Sequence, residues 1–489
     1  MKRFTYYATG LVLLLAALAA AGTTQYFSLL AASDSKDDTW GVAGQNLANW
    51  RNQAAEHTIG PGNVASLVAK WTFTTAADVS ATPTVTDDTV FFPDWSGSLY
   101  AVDRNTGNLK WSHQISEYDG HQGALSRTSP AVHKKDLVFG DTLSADKAHD
   151  GANIISVRQD TGKLHWITKV DDHLAAVITG SPVVHGNVVY VGVSSNEEGL
   201  AKDPSYPCCS FRGSIVALEA STGHILWKRY TLPANQGKAD GYSGNAVWQP
   251  PAIDAKRGSL YVGTGNNYEV PAEVKECLTS VAEKDESNCF AADDYFDTAL
   301  SLDLLTGRIK WSRRLQGVDV WTVACNTNPN PVSCPLPASP DYDLGGSGPN
   351  LFPHMVGFGQ KSGMYWALNP ANGEVIWGSM VGPGATLGGI EWGTATDGTR
   401  IYAAISNSLH KPYPLVNGDT ITWGAWSALD VETGHILWQT ADPDQSLAVG
   451  AVSVANGLMY APSFSGNVHA LDAATGKILW SFQTGGVGD

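Results

Sequence analysis

Short runs in which apolar and polar residues alternate recur along the chain, among them ATPTV followed by TVFFPDW and SPVV followed by NVVYVGV. A period of two puts successive side chains on opposite faces of a pleated ribbon, so these runs predict β-strands joined by tight turns. The pattern itself repeats. An eleven-residue unit reads AVDRNTGNLKW to Trp111, SVRQDTGKLHW to Trp166, ALEASTGHILW to Trp227 and SLDLLTGRIKW to Trp311, then ALNPANGEVIW to Trp377, ALDVETGHILW to Trp438 and ALDAATGKILW to Trp480. Every copy carries a Thr-Gly or Asn-Gly turn at the same distance before its Trp. With alternating runs upstream, the unit reads as three strands, a turn and a Trp-bearing fourth strand, which is one blade of an all-β propeller. Each Trp is expected to pack between neighbouring blades with its indole N–H bonded to a partner.

Trp71, in SLVAKWTFTT, lacks the preceding turn and reads as a lone fourth strand, while residues 38–63 before it read as loop. Only nine residues follow Trp480. The expectation is therefore seven complete blades, with Trp71 either an extra edge or the remnant of an incomplete eighth. The distance from Trp227 to Trp311 is 84 residues, against roughly 40 for a plain blade. The excess marks inserted loops in the middle blades, where a site is to be sought.

Composition agrees with this architecture: charged residues are 16%, with 51 Gly, 24 Pro, 17 Trp and 17 Tyr in 489 residues. Disorder, coiled coil and helical bundle are disfavoured, and a net charge of −16 disfavours nucleic acid as a partner. Lys2 and Arg3 followed by an apolar run from Leu11 to Ala21 read as a signal peptide over residues 1–22. Extension to Ala32 keeps a membrane anchor open if the segment is not cleaved. Residues 23–38 read as a linker and 39–489 as the propeller domain, in a periplasmic or secreted protein. Six cysteines in an exported chain favour disulfides, and proximity pairs Cys208 with Cys209, Cys277 with Cys289 and Cys325 with Cys334. The alternative, zinc, lacks C-x-x-C or His spacing, and no C-x-x-C-H run supplies a c-type haem. The Gly-rich runs GGSGPN and VGPGATLGG fit neither a P-loop nor G-x-G-x-x-G, and no G-x-S-x-G elbow occurs.

The Trp-turn unit, WGVAGQNLANWRNQ, NVASLVAKW, SSNEEGL, CCSFRGS, GTGNNY, PDYDLGGSGPNL and GQKSGMYWALNP together resemble the pyrroloquinoline-quinone-dependent alcohol dehydrogenases from about residue 40 onward. The branch resembled most is the polyvinyl-alcohol-dehydrogenase-like one, because the adjacent cysteines follow the Glu segment. The resemblance implies an eight-bladed ring holding pyrroloquinoline quinone and Ca2+ near its axis. The partners implied are an alcohol substrate and an external electron acceptor such as a cytochrome c.

Alcohol oxidation needs a base for the hydroxyl proton and a Lewis acid for the quinone carbonyl, and Ca2+ takes hard oxygen ligands. By the resemblance, Glu197, Asn266 and Asp343 hold the metal and Asp343 is also the base. From the residues alone, Glu197 beside Glu198 reads as a pair of solvated loop carboxylates, Asn266 and Asn267 differ by one step of register, and Asp341 competes with Asp343. Trp248 matches the stacking Trp of the family; Arg127, Thr179 and Lys361 match positions that bind its cofactor. Cys208 and Cys209 match a disulfide over the quinone, in a shifted position, and Trp392 is a candidate for the rim. A non-catalytic binding or assembly scaffold, and a quinoprotein acting on sugars, stand as alternatives.

Overall fold

Seven antiparallel sheets follow one another along the chain, each a meander of four strands whose order in space is their order in sequence. The computed structural model describes residues 38–143, 150–326, 334–336 and 339–484. The expected signal peptide and anchor, and all of the linker except Asp38, lie outside the described residues. Blade 1 is Thr84–Val85, Thr89–Pro93, Ser98–Asp103 and Leu109–Gln114. The innermost strands of blades 2 to 7 are Ala131–His133, Val183–His185, Ala252–Asp254, Asn350–Leu351, Ala395–Thr396 and Ser453–Ala455. Inner and middle strands are almost wholly buried, whereas the outermost, such as Leu109–Gln114, alternate between half-buried and exposed. No helix among the described residues is long and apolar enough to cross a membrane.

The eleven-residue unit joins each blade to the next. Trp111 Nε1 donates to Gln159 O at 2.9 Å, Trp166 to Ala220 O at 3.0 Å and Trp227 to Leu304 O at 3.0 Å. Trp311, Trp377 and Trp438 bond the turns of the following blades in the same way, through Pro370, Val431 and Ala473. The rings of these six Trp lie against the turn glycines of the blades that follow. At Gly223, φ is +75° and a Cβ would sit 2.5 Å from the Trp166 ring, so both the turn and the close approach require glycine.

Trp71 docks on blade 1 through Nε1 to Arg104 O at 2.9 Å. The expected strand around it is not formed: residues 67–83 carry no ladder, because a strand exists only where another edge pairs with it. Trp480 of blade 7 donates in turn to Leu67 O at 3.0 Å, beside Val64 in the short turn Val64–Ser66. The stretch from Val64 to Trp71 therefore links blade 7 to blade 1.

Residues 40–53, expected as loop, run across the inner edges of the blades. Trp40 N donates to Val85 O at 2.8 Å, and the carbonyls of Gly41, Leu47, Ala48, Trp50 and Arg51 accept from Val132, Ile253, Leu351, Thr396 and Val454. Six innermost strands thus find backbone partners in this one segment, which satisfies edges that would otherwise face the axis unpaired. Leu47 and Val42 pack against the cluster containing Val183 of blade 3. Trp50 Nε1 bonds Leu351 O at 2.6 Å, and the buried Arg51 guanidinium bonds Val452 O, Ala43 O and Thr82 Oγ1. Burial pulls the Arg51 pKa down to about 10. Val85, Leu351 and Thr396 end their strands and Val132, Ile253 and Val454 are central in theirs, so this plug lies along the inner edge of the ring.

Candidate functional site

The loops before the innermost strands and after the second strands gather the residues singled out in the sequence. Arg127, Thr179, Trp248, Asp343 and Trp392 each precede an innermost strand, and Glu197, Asn266 and Lys361 each follow a second strand. Propeller geometry turns both kinds of loop toward the axis on the same face, so residues more than two hundred positions apart converge.

Lys361 is the hub. Its ammonium donates to both oxygens of Asp341 at 2.9 Å and lies 3.4 Å from Asp343 Oδ2, with all three side chains buried. Burial works against the ammonium, but Asp341, Asp343, Glu391 and Glu198 outweigh it and hold the Lys361 pKa well above its usual value. Burial raises Asp341 to about 7 against the pull of Lys361, and raises Glu391 to about 7 in the same way. Asp297 and Asp319 are pushed well above the carboxylate range, first by burial and then by neighbouring carboxylates.

The adjacent competitors separate clearly. Asn266 N–H donates to Asp343 Oδ1 at 2.7 Å, and its side-chain nitrogen is taken by the carbonyls of Asn267 and Trp321, which turns the amide oxygen the other way. Asn267 instead bonds Asn245 and Asp294, a polar network behind the site. The two glutamates begin the short helix Glu197–Leu200, where consecutive side chains diverge by about 100°. Glu197, expected as a metal ligand, accepts at Oε1 from Ser210 N at 2.8 Å and Tyr206 OH at 3.1 Å, and at Oε2 from Phe211 N at 2.8 Å. Its oxygens fasten the loop that carries the adjacent cysteines. Burial raises the pKa of both glutamates, and at Glu198, raised well above its usual value, Asp341 adds to it, Lys361 opposes and Asp343 adds again.

Beside the acidic centre stands an aromatic wall. The Trp248 and Trp392 rings meet edge to face with centroids 5.6 Å apart, Lys361 Nζ lies 5.7 Å from the Trp248 centroid, and the Arg127 guanidinium sits 4.7 Å from that of Trp392. Thr179 Oγ1 is buried without a hydrogen-bond partner. The three expected disulfides are present, and Cys208, Cys209 and Trp248 share one apolar cluster.

Four carboxylates (Glu198, Asp341, Asp343 and Glu391) thus interact with the buried Lys361 ammonium, Asp297 and Asp319 interact in turn with Asp341 and Asp343, and Arg127 lies over Trp392. A hard divalent cation fits this donor set, since it supplies the charge the carboxylates lack. Trp248, the orphaned Thr179 hydroxyl, Arg127 and Lys361 fit a flat, carboxylate-bearing group. Glu391, Asp297 and Asp319 escaped the sequence reading because nothing in their local pattern distinguishes them from turn acids.

A family model described as outer membrane protein assembly factor BamB matches residues 69–203 and 361–488. The chain is 34% identical over 460 residues to the polyvinylalcohol dehydrogenase of Sphingopyxis sp. (strain 113P3), covering 86% of this chain and 64% of that one. It is 31% identical over 474 residues to a polyvinylalcohol dehydrogenase of Pseudomonas sp, covering 92% and 68%. It therefore spans about two thirds of the length of these relatives. In fold it is similar to the quinohemoprotein alcohol dehydrogenase from Comamonas testosteroni, with a TM-score of 0.70 at 20% identity over 94% of this chain and 75% of that one. A europium-containing methanol dehydrogenase gives a TM-score of 0.66 at 17% identity over 93% and 87%.

Proposed function

The chain belongs to the pyrroloquinoline-quinone-dependent alcohol dehydrogenases, among the relatives of polyvinylalcohol dehydrogenase, and from that membership we propose that it oxidises an alcohol, secondary or polymeric, outside the cytoplasm. The observation that carries the reading is the group of carboxylates converging on Lys361 beside the Trp248–Trp392 wall. Pyrroloquinoline quinone, when bound, is the hydride acceptor, and Ca2+ the Lewis acid that polarises its carbonyl.

Glu198, Asn266 through its amide oxygen, and Asp343 hold the metal; Glu197 supports from behind by fixing the Cys208–Cys209 loop. Trp248 offers the planar floor, and Arg127, Thr179 and Lys361 bind the oxygens of the quinone. Asp343 accepts the alcohol proton at Oδ2, whose contact with Lys361 at 3.4 Å is longer than the two 2.9 Å bonds that engage both oxygens of Asp341, while Oδ1 already accepts the Asn266 N–H. Trp392, held under Arg127, lines the mouth through which the alcohol enters. Electrons leave to a separate acceptor such as a cytochrome c. The stretch Val64–Trp71, which receives the Trp480 bond and docks on blade 1, stands for the eighth blade of the family ring.

Reconstitution tests this reading: purified protein mixed with pyrroloquinoline quinone and Ca2+ should retain one equivalent of chromophore through gel filtration and reduce an artificial electron acceptor when a secondary alcohol is added. Failure to retain the chromophore would favour a non-catalytic scaffold. Retention with turnover of sugars alone would reassign the substrate.

A further inference from the structure

A second group of metal-binding side chains lies away from the axis, where blade 6 passes into blade 7. Asp442 follows the outermost strand of blade 6, Ile436–Ala441, Asp444 lies two residues further on, and His469 sits on the third strand of blade 7, Asn467–Asp472. One oxygen from each aspartate and a ring nitrogen of His469 all lie within 4.8 Å of one another.

The histidine is the informative member. Its side chain is only 2% exposed, packed against the fully buried Trp426 with ring centroids 5.3 Å apart. Nδ1 is 2.8 Å from Ser481 Oγ. Nε2 has no hydrogen-bond partner and faces Asp444 Oδ2 at 3.8 Å, too far for a hydrogen bond. A buried ring nitrogen aimed at two carboxylates and bonded to neither is an unmet polar group, and a cation between them would satisfy all three. When Nδ1–H donates to Ser481 Oγ, Nε2 carries the lone pair that faces the carboxylates. Asp444 Oδ2 accepts from Ser465 Oγ and Asn467 Nδ2, which orient the carboxylate. A metal-ligating imidazole whose other nitrogen is fixed by a hydroxyl, flanked by oriented carboxylates, is the arrangement of a zinc site with outer-shell support.

We propose that Asp442, Asp444 and His469 bind one Zn2+ ion, with water completing the coordination, and that the ion ties the blade 6 to blade 7 connection to the third strand of blade 7. The site is independent of the axial centre and of the reaction proposed there. An imidazole beside two carboxylates suits zinc better than Ca2+, which takes oxygen ligands.

The test uses full-length protein kept in excess Ca2+, so that the axial carboxylates do not compete for zinc. Zn2+ is titrated in against a chromophoric chelator. One equivalent should bind to the native chain, and Asp444→Asn and His469→Gln should each weaken it at least about 10-fold, with unchanged circular dichroism. Zinc should raise the melting temperature of the native chain and leave that of Asp444→Asn, a change on the surface, unmoved. Equal zinc affinity and equal thermal response in the native and Asp444→Asn chains would overturn the proposal, as would absence of zinc binding by the native chain.

Discussion

The sharpest consequence of the site geometry is that the adjacent glutamates should respond differently to the same isosteric change. In Glu197→Gln, one carboxylate oxygen becomes an NH2 facing a buried N–H or O–H donor. Glu197 accepts from Ser210 N and Phe211 N at 2.8 Å and Tyr206 OH at 3.1 Å, so at least one of these is left unmet, at about 1–3 kcal/mol. A chain this long moves by at most about 2 °C per kcal/mol, and the melting temperature should fall by a few degrees with or without Ca2+. In Glu198→Gln, one carboxylate leaves a centre where Asp341 and Asp343 already oppose its charge, so the Ca2+-free protein should melt no lower than the native one. What it loses is the response to the ion. If the affinity for Ca2+ falls about 100-fold, a concentration that stabilises the native chain by about 2.7 kcal/mol has little effect on the variant. Thermal melts of the three proteins across a Ca2+ series read both effects. A Ca2+ response abolished in Glu197→Gln and intact in Glu198→Gln would refute the assignment.

Asp343→Asn keeps size and an oxygen ligand but removes the base, so chromophore and Ca2+ retention should survive while alcohol turnover falls by about 10²- to 10⁴-fold; normal turnover in a reconstituted assay would exclude Asp343 as base. Trp50→Ala removes a buried anchor of the axial plug together with its bond to Leu351, and denaturant titration should show a loss of about 3–5 kcal/mol, whereas a change below 1 kcal/mol would mean that the plug contributes little. Asp294 is raised to about 6 by burial, above its unfolded value of about 4, so the native state holds the proton more tightly and stability should fall as pH rises from about 4 to 6, by up to about 3 kcal/mol. Asp294→Asn can keep the bonds from Asn245 and Asn267 and should flatten that fall; an unchanged pH profile of stability would assign the slope to other groups.

The blade was legible from the chain alone because everything that defines it is local. Turn, glycine and Trp fall within eleven residues, and the steric demand of ring against glycine is met in the same way at each seam. The disulfides were legible for a similar reason, since each joins residues no more than twelve apart. Near the axis this locality ends. Whether Glu197 or Glu198 looks inward depends on the phase of one helical turn, and whether Asn266 or Asn267 meets Asp343 depends on a loop from another blade. Glu391, Asp297 and Asp319 are unremarkable acids until the ring brings them near Asp341 and Asp343 and burial removes the water that would have separated them. The plug is the extreme case: no periodicity marks residues 40–53, because they form no strand of their own and take their hydrogen bonds one or two at a time from six blades, the last of them about four hundred residues away. Trp71 shows the reverse, a strand-like run that forms no strand because the ring offers its edge no ladder. Local pattern determined the repeating unit, and the closed ring decided which side chains share a dry centre and which edges are paired, since backbone hydrogen bonds and buried charges are settled only by what lies opposite them.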